Sequence, residues 1–533
     1  MKLPFGKISG SKNIFLYSTL LVLLVFIITR VQYFLYYPVL VLSSDSASYC
    51  AAAFDIMDFH SPVFDIRTPG YPLILSLVWM LSKTVYVLAL AQSLFTLAVS
   101  IFFLWVIDQI YRSLTFLSAI SLSVFISSSY YLILEVSLLT EGIFVSTLLL
   151  SSGLLMLALK KNQICCWALY SASVALIILI RPAGLFLIGV MAVIFIFFWL
   201  NKYKFKFYLS LVLPFAAIIF SLCMYNYMTL RLFTITPFGE ANLSGVTLLF
   251  MEPSPEYPQL VNDAIKNTLD SVPRSDINYV RNSSGISKLY YTFNDNFYRQ
   301  VSLTENLMKA DSALNFVAIQ PIIRKISIDA IKNNPKIYAK FVMSNFLFFF
   351  YNVKVDMNYY EELSGILQKT YVEKKYIREL ETGKWRQISS DKTDNEKIRL
   401  FFTEETLKQN DLEYVEISEA GGIELKPTFL KSLYEGYESV YNFLFRNFLW
   451  LILFGAVFII SIIKLIKSRF RDVDAFIPFL FCIIYITKAI LVSLVEVSLT
   501  RYSFTVEYAV YFSLPFLVLL LKSKTKMLIT KNL

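Results

Sequence analysis

Apolar and polar residues in this chain fall in long blocks rather than in a short alternation. The stretches 14–29, 86–107 and 183–200 contain no charged residue. At about 1.5 Å per helical residue they approach or reach the roughly 30 Å of a bilayer's hydrocarbon core. The same blocks predict membrane helices over 14–36, 85–108, 114–131, 139–159, 164–180, 183–200, 208–229, 441–464, 475–495 and 503–521. The run 71–81 reaches only about 17 Å and predicts a half-helix that does not cross fully. A further apolar run, 341–351, separates two polar regions, 231–336 and 354–438. In these, 310–332 and 396–408 read as amphipathic helices, and Pro253, Pro255 and Pro258 mark an irregular stretch.

The pattern predicts an all-α polytopic membrane protein of roughly 10–12 membrane helices with an exterior mixed soluble region. Residues 1–230 form an N-terminal transmembrane module whose first exterior loop spans 37–70. Residues 231–438 form the exterior region, interrupted by an apolar helix near 337–353, and 439–533 hold the C-terminal membrane helices.

Composition agrees and narrows the options. The chain is 56% hydrophobic and 17% charged, with mean hydropathy +0.59, outside the range of water-soluble domains. Lys2, Lys7 and Lys12 precede a first apolar run too long for a cleavable signal, so it reads as a retained signal-anchor. Placing the basic clusters at span ends in the cytoplasm gives an integral multi-pass protein of a bacterial inner (plasma) membrane. The net charge of +10 then reflects those loops, and without aromatic–basic interleaving it gives no nucleic-acid partner. Five cysteines show neither a disulfide framework nor zinc spacing. One histidine, His60, excludes a multi-histidine metal site and leaves only carboxylates as ligands for a divalent cation, Mg²⁺ or Mn²⁺.

This threading gathers Asp45, Asp55, Asp58, Asp65, Arg67, Glu141, Arg181, Glu496 and Arg501 at exterior span ends. Acids at a membrane surface are costly to desolvate and so mark candidate sites. Ser43 and Ser44 offer caps to a helix over 45–57, with Asp45 in its first turn and Asp45, Tyr49 and Ala53 on one face. Arg67 has the planar fork that suits phosphate or carboxylate, or it snorkels to lipid headgroups. Glu141 lies within reach of an ion pair with Arg181; Lys488 and Glu496, two helical turns apart, are a second candidate pair. Tyr502 is a binding residue or part of an interfacial aromatic belt.

Asp45, Tyr49 and Ala53 followed by Thr68-Pro69-Gly70-Tyr71-Pro72 closely resemble the first exterior loop of bacterial GT-C membrane glycosyltransferases. That superfamily includes the protein O-mannosyltransferases and the aminoarabinose transferase of lipid A. Leu139-Thr140-Glu141-Gly142, Ile180-Arg181-Pro182-Ala183-Gly184, Asn334-Pro335 with Tyr338, and Arg501-Tyr502 follow in the family's order. The resemblance implies an inverting glycosyltransferase that moves a sugar from a polyprenyl-phosphate donor to a lipid, glycan or protein acceptor at the exterior, periplasmic face, among membrane lipids. It implies Asp45 as the general base, with Arg67, Arg181, Arg501 and Lys488 facing the lipid phosphate and Tyr49, Glu141 and Tyr502 shaping the sugar site. Asp45 stands between Ser44 and Ser46, whereas relatives often carry two adjacent acids, and the exterior region matches no known pattern. The alternative is a transporter, flippase or polymerase of lipid-linked saccharides. Lys488 favours it; the one-sided polar residues and the lack of matching halves do not.

Overall fold

The computed structural model describes residues 12–36, 45–57, 64, 67–81, 85–282, 285–311, 314–351, 439 and 449–522. The described residues contain helices and no strands. The N-terminal module runs α1 (Lys12–Tyr36), α2 (Ser46–Met57), α3 (Gly70–Leu81), α4 (Val85–Tyr111), α5 (Thr115–Ile126), α6 (Ser129–Glu135), α7 (Thr140–Lys161), α8 (Ile164–Ile180), α9 (Leu187–Leu200) and α10 (Phe205–Leu230). A second layer follows: α11 (Gly239–Thr247), α12 (Gln259–Asp270), α13 (Arg274–Asn282), α14 (Ile286–Asn296), α15 (Gln300–Ala310), α16 (Phe316–Asn333) and α17 (Pro335–Tyr351). The chain returns through α18 (Leu449–Lys467), α19 (Val473–Val495), α20 (Thr500–Phe504), α21 (Tyr508–Tyr511) and α22 (Ser513–Lys522).

Among the described residues, seven segments are long and apolar enough to cross a membrane, and α3, α8 and the stretch Tyr508–Lys522 are shorter apolar helices. The fold is therefore that of an all-α polytopic membrane protein. In α7, 89% of the most apolar window is buried, against 28% in α1, α10 and α18, so α7 runs through the middle and the others face outward. The half-helix expected over 71–81 is α3, a single 12-residue helix.

Two expected spans are broken. The span expected over 114–131 divides into α5 and α6 at Ser127-Ser128, where the Ser128 hydroxyl accepts from Tyr131 N at 3.1 Å and starts a new helix. The span expected over 503–521 is three short helices, with the last beginning just before Pro515, a position where the missing proline N–H costs nothing.

The second layer has its own core, built on helices that bury one stripe. In α12, Val261, Ala264, Ile265 and Thr268 are buried at i, i+3, i+4 and i+7. The helix expected over 310–332 starts at Phe316, because Asn315 Oδ1 accepts from Ala318 N at 2.9 Å and α15 occupies the residues up to Ala310. The apolar helix expected near 337–353 is α17, which joins the two layers: Phe341 packs in the second core while Phe349 lies in the bundle core. The amphipathic helix expected over 396–408 lies outside the described residues, as do Asp58, His60, Asp65 and the whole of 354–438.

A candidate site at one end of the bundle

The polar residues sort to two ends. α7 begins at Thr140, which accepts from Arg181 Nη1 at 3.2 Å, and runs for 22 residues to end at Lys160 and Lys161. Lys160 there forms an ion pair with Asp474, at the start of α19, and Tyr111 donates to the same carboxylate at 2.8 Å. α19 returns over 23 residues to Glu496. The two ends are thus about 33 Å apart, a bilayer's hydrocarbon thickness.

At the Thr140 end lies a cavity of about 610 Å³ between the bundle and the second layer. Asp45, Tyr49, Arg67, Arg181, Lys488, Glu496 and Tyr502 all line it. Local backbone explains how they meet. Ser46 donates to Leu138 O at 2.9 Å and pins the start of α2, so Asp45 stands just before the helix rather than within its first turn. Gly70 starts α3 against the end of α8: a Cβ there would lie 2.6 Å from Ile180 N. That contact places the Arg67 turn beside Arg181. Gly142 plays the same part for α7, since its Cβ would come within 2.7 Å of Leu134 O.

Arg67 is held on three sides. Its Nη2 donates to Asp45 Oδ1 at 2.8 Å, its Nε donates to Ser48 Oγ at 2.7 Å, and its guanidinium lies 4.5 Å from the Tyr49 ring centre. Burial alone would weaken this cation; Tyr49 and Asp45 outweigh it and hold the guanidinium more firmly protonated than a free one. Arg67 is thus committed to the Asp45 carboxylate, one of the two anion types its fork suits, rather than to a lipid headgroup.

Arg181 ends α8 in extended conformation and forms an ion pair with Glu141, the pair foreseen for these residues. Glu141 is buried behind it and does not line the cavity. The other foreseen pair is absent. Lys488 and Glu496 form no ion pair among the described residues: Glu496 accepts from the Tyr502 hydroxyl, and Lys488 Nζ donates to Ala183 O at 3.4 Å. Lys488 is 1% exposed. Its Nζ and the Arg181 guanidinium both approach the Tyr502 ring, at 5.9 and 5.4 Å from its centre. Tyr502 therefore sits inside the cation cluster rather than in an outward belt. The side chain of Arg501 lies outside the described residues.

The second layer supplies a wall that sequence reasoning did not assign. Asn242, Tyr298 and Gln300 line the cavity, and Gln300 Oε1 is buried without a hydrogen-bond partner. One signal was available. In α15 the buried stripe is Gln300, Leu303, Thr304 and Leu307, so an amide occupies the first position of an otherwise core-facing pattern.

The Asp472 carboxylate behaves differently at the far end. It caps α19 by accepting from Asp474 N at 3.0 Å and Ala475 N at 3.2 Å, a structural use of an acid. Among the described residues no three His, Cys, Asp or Glu side chains come together as metal ligands. No protein-family model, no curated protein and no solved structure matches the chain.

Proposed function

We propose that the chain is an inverting glycosyltransferase that takes a sugar from a polyprenyl-phosphate carrier at the outer membrane face. One observation carries this reading: a carboxylate fixed by an arginine, a buried ammonium and a second arginine share one cavity at a single end of the bundle. A displacement at a sugar carbon needs a proton acceptor on one side and cations for a leaving phosphate on the other.

In the proposed reaction, Asp45 accepts the proton of the acceptor hydroxyl as that oxygen bonds to the anomeric carbon. The carbon–oxygen bond to phosphate breaks, and its electron pair leaves with the phosphate toward Lys488 and Arg181. Lys488 suits that part because it has no carboxylate partner within 4 Å among the described residues. An unpaired ammonium in a buried site is costly unless an anion arrives. Arg67 orients Asp45 through the 2.8 Å ion pair. Tyr49 and Tyr502 line the cavity with Arg67 over one ring and Arg181 and Lys488 over the other, so they hold those cations at its wall.

The test is transfer by the detergent-solubilised chain, using lipid-linked sugars that accumulate in cells lacking it and are identified by mass spectrometry. Asp45→Asn should insert normally and lose transfer by about 10²–10⁴-fold. Near-normal transfer by that variant would remove the assignment. Movement of the lipid-linked sugar across vesicles without chemical turnover would favour a flippase instead.

A further inference from the structure

Beside the cavity lies a second hollow of about 520 Å³. One wall is a single face of α16, where Gln320, Arg324, Ile328 and Lys332 stand four residues apart. The opposite wall is the strap 232–237, and Thr234 and Thr236 of that strap line both hollows. Asn226 holds the strap in place by donating to Thr234 O at 2.8 Å and Ile235 O at 3.2 Å.

The chemistry of this second hollow is specific. Gln320 is 2% exposed; its Nε2 donates to Phe316 O at 2.9 Å, and its Oε1 has no partner. A buried acceptor left in that state favours a ligand that brings an O–H. One and three helical turns further along, Arg324 and Lys332 reach into the hollow from exposed positions. The nearest carboxylate to Arg324 is Glu240, at 3.9 Å from Nε, too far for a hydrogen bond. The other acid of the hollow, Asp329, already accepts from the Tyr257 hydroxyl at 2.9 Å. Along α16 the backbone positions of Gln320 and Arg324 are about 6 Å apart and those of Arg324 and Lys332 about 12 Å, a gap that two long side chains can close from both ends onto one anionic group of a saccharide.

We infer that this hollow binds an anionic saccharide, with a sugar hydroxyl on Gln320 Oε1 and a phosphate or carboxylate on Arg324 and Lys332. Taken with the transferase reading, on which this role rests, the ligand is the acceptor, and its reacting hydroxyl passes the strap at Thr234 and Thr236 toward Asp45. The binding itself does not depend on transfer.

Calorimetric titration of the detergent-solubilised full chain tests it with glucose 6-phosphate, glucuronate, glucose and inorganic phosphate. Saturable binding of glucose 6-phosphate or glucuronate is expected, with the tighter of the two naming the anionic group. Glucose and inorganic phosphate should each bind at least tenfold more weakly. The double variant Arg324→Ala/Lys332→Ala, altered at exposed positions that the fold does not need, should weaken the charged ligand by about tenfold or more. Absence of saturable binding, an unchanged affinity in the double variant, or equal affinity for inorganic phosphate overturns the proposal. Asp45→Asn separates the two readings: it should abolish transfer and leave the titration unchanged. If the unaltered chain shows no transfer, the transferase reading falls while the titration still decides the hollow.

Discussion

Arg30 and Glu135, 105 residues apart in sequence, form a buried ion pair whose loss should be measurable as unfolding energy. Arg30 donates through Nε and Nη2 to the two Glu135 oxygens at 3.1 and 2.7 Å, and the side chains are 4% and 0% exposed. Ser93 adds a donor to Glu135 Oε1 at 2.6 Å, while Arg30 Nη1 donates to Ile126 O at 2.6 Å. The arginine thereby satisfies the end of α5 as it ties the end of α6 to α1. Glu135→Gln keeps the size of the side chain and removes its charge, leaving a buried guanidinium without its counter-ion. Breaking such a pair costs about 3–5 kcal/mol, a large fraction of the roughly 5–15 kcal/mol that holds a typical fold. Removing both charges in Arg30→Met/Glu135→Leu should cost less than the two single changes summed, a coupling of about 2 kcal/mol or more. The assay is reversible unfolding in mixed micelles, followed by circular dichroism as the denaturing detergent is titrated. A Glu135→Gln midpoint equivalent to less than about 0.5 kcal/mol, or strict additivity in the double variant, would refute the reasoning. The backbone beyond Glu135 extends the consequence. Gln92 donates to Glu135 O at 2.6 Å and accepts from Tyr71, whose ring meets that of Tyr49 edge-on at 5.2 Å. Glu135→Gln should therefore also weaken the hold of Tyr49 on Arg67.

Lys488→Met should leave the fold as stable or more stable in the same titration, because it replaces an unpaired buried ammonium with an apolar group, yet it should abolish sugar transfer. Gly70→Ala should lower stability by about 1–3 kcal/mol, since its Cβ would lie 2.6 Å from the backbone of Ile180, and should impair transfer through the shifted Arg67 turn. Asn345→Ala should cost about 2 kcal/mol: its side chain accepts from Ser498 N at 2.7 Å and donates to Glu496 O, so its loss frees the segment leading to Tyr502. Burial raises the Glu240 carboxyl above the usual range against the opposing Arg324, so as pH falls through that raised value the second hollow loses a negative charge. Glu240→Gln should consequently tighten glucuronate binding at neutral pH by a few-fold, measured by the same calorimetry.

The membrane helices were legible because a uniformly apolar run of about 20 residues matches the bilayer in both length and solvent preference. The breaks within them were less so. Ser127-Ser128 and the region around Thr505 interrupt apolar runs through local polar bonding, which hydropathy averages away. Residues gathered by short motifs, such as Arg67 with Asp45 or Arg181 with Glu141, could be placed at one end from loop charge alone. Their partners followed less readily. Arg67 turned inward to an acid 22 positions earlier, and Glu496 paired with Tyr502 instead of Lys488, because α19 ends at Val495 and the chain turns away. Gln300 and Gln320 were not singled out, since their meaning depends on which helices close over them, and that is set by packing between distant segments.

The strap between the two hollows has a geometric corollary. Two of its successive carbonyls are tied to one amide, that of Asn226 near the end of α10, so the thickness of the partition is set by a few covalent bonds and a single anchor. It works as a caliper: adding or deleting one residue between 231 and 237 changes the reach from one chamber to the next, and with it the length of molecule that can occupy both at once.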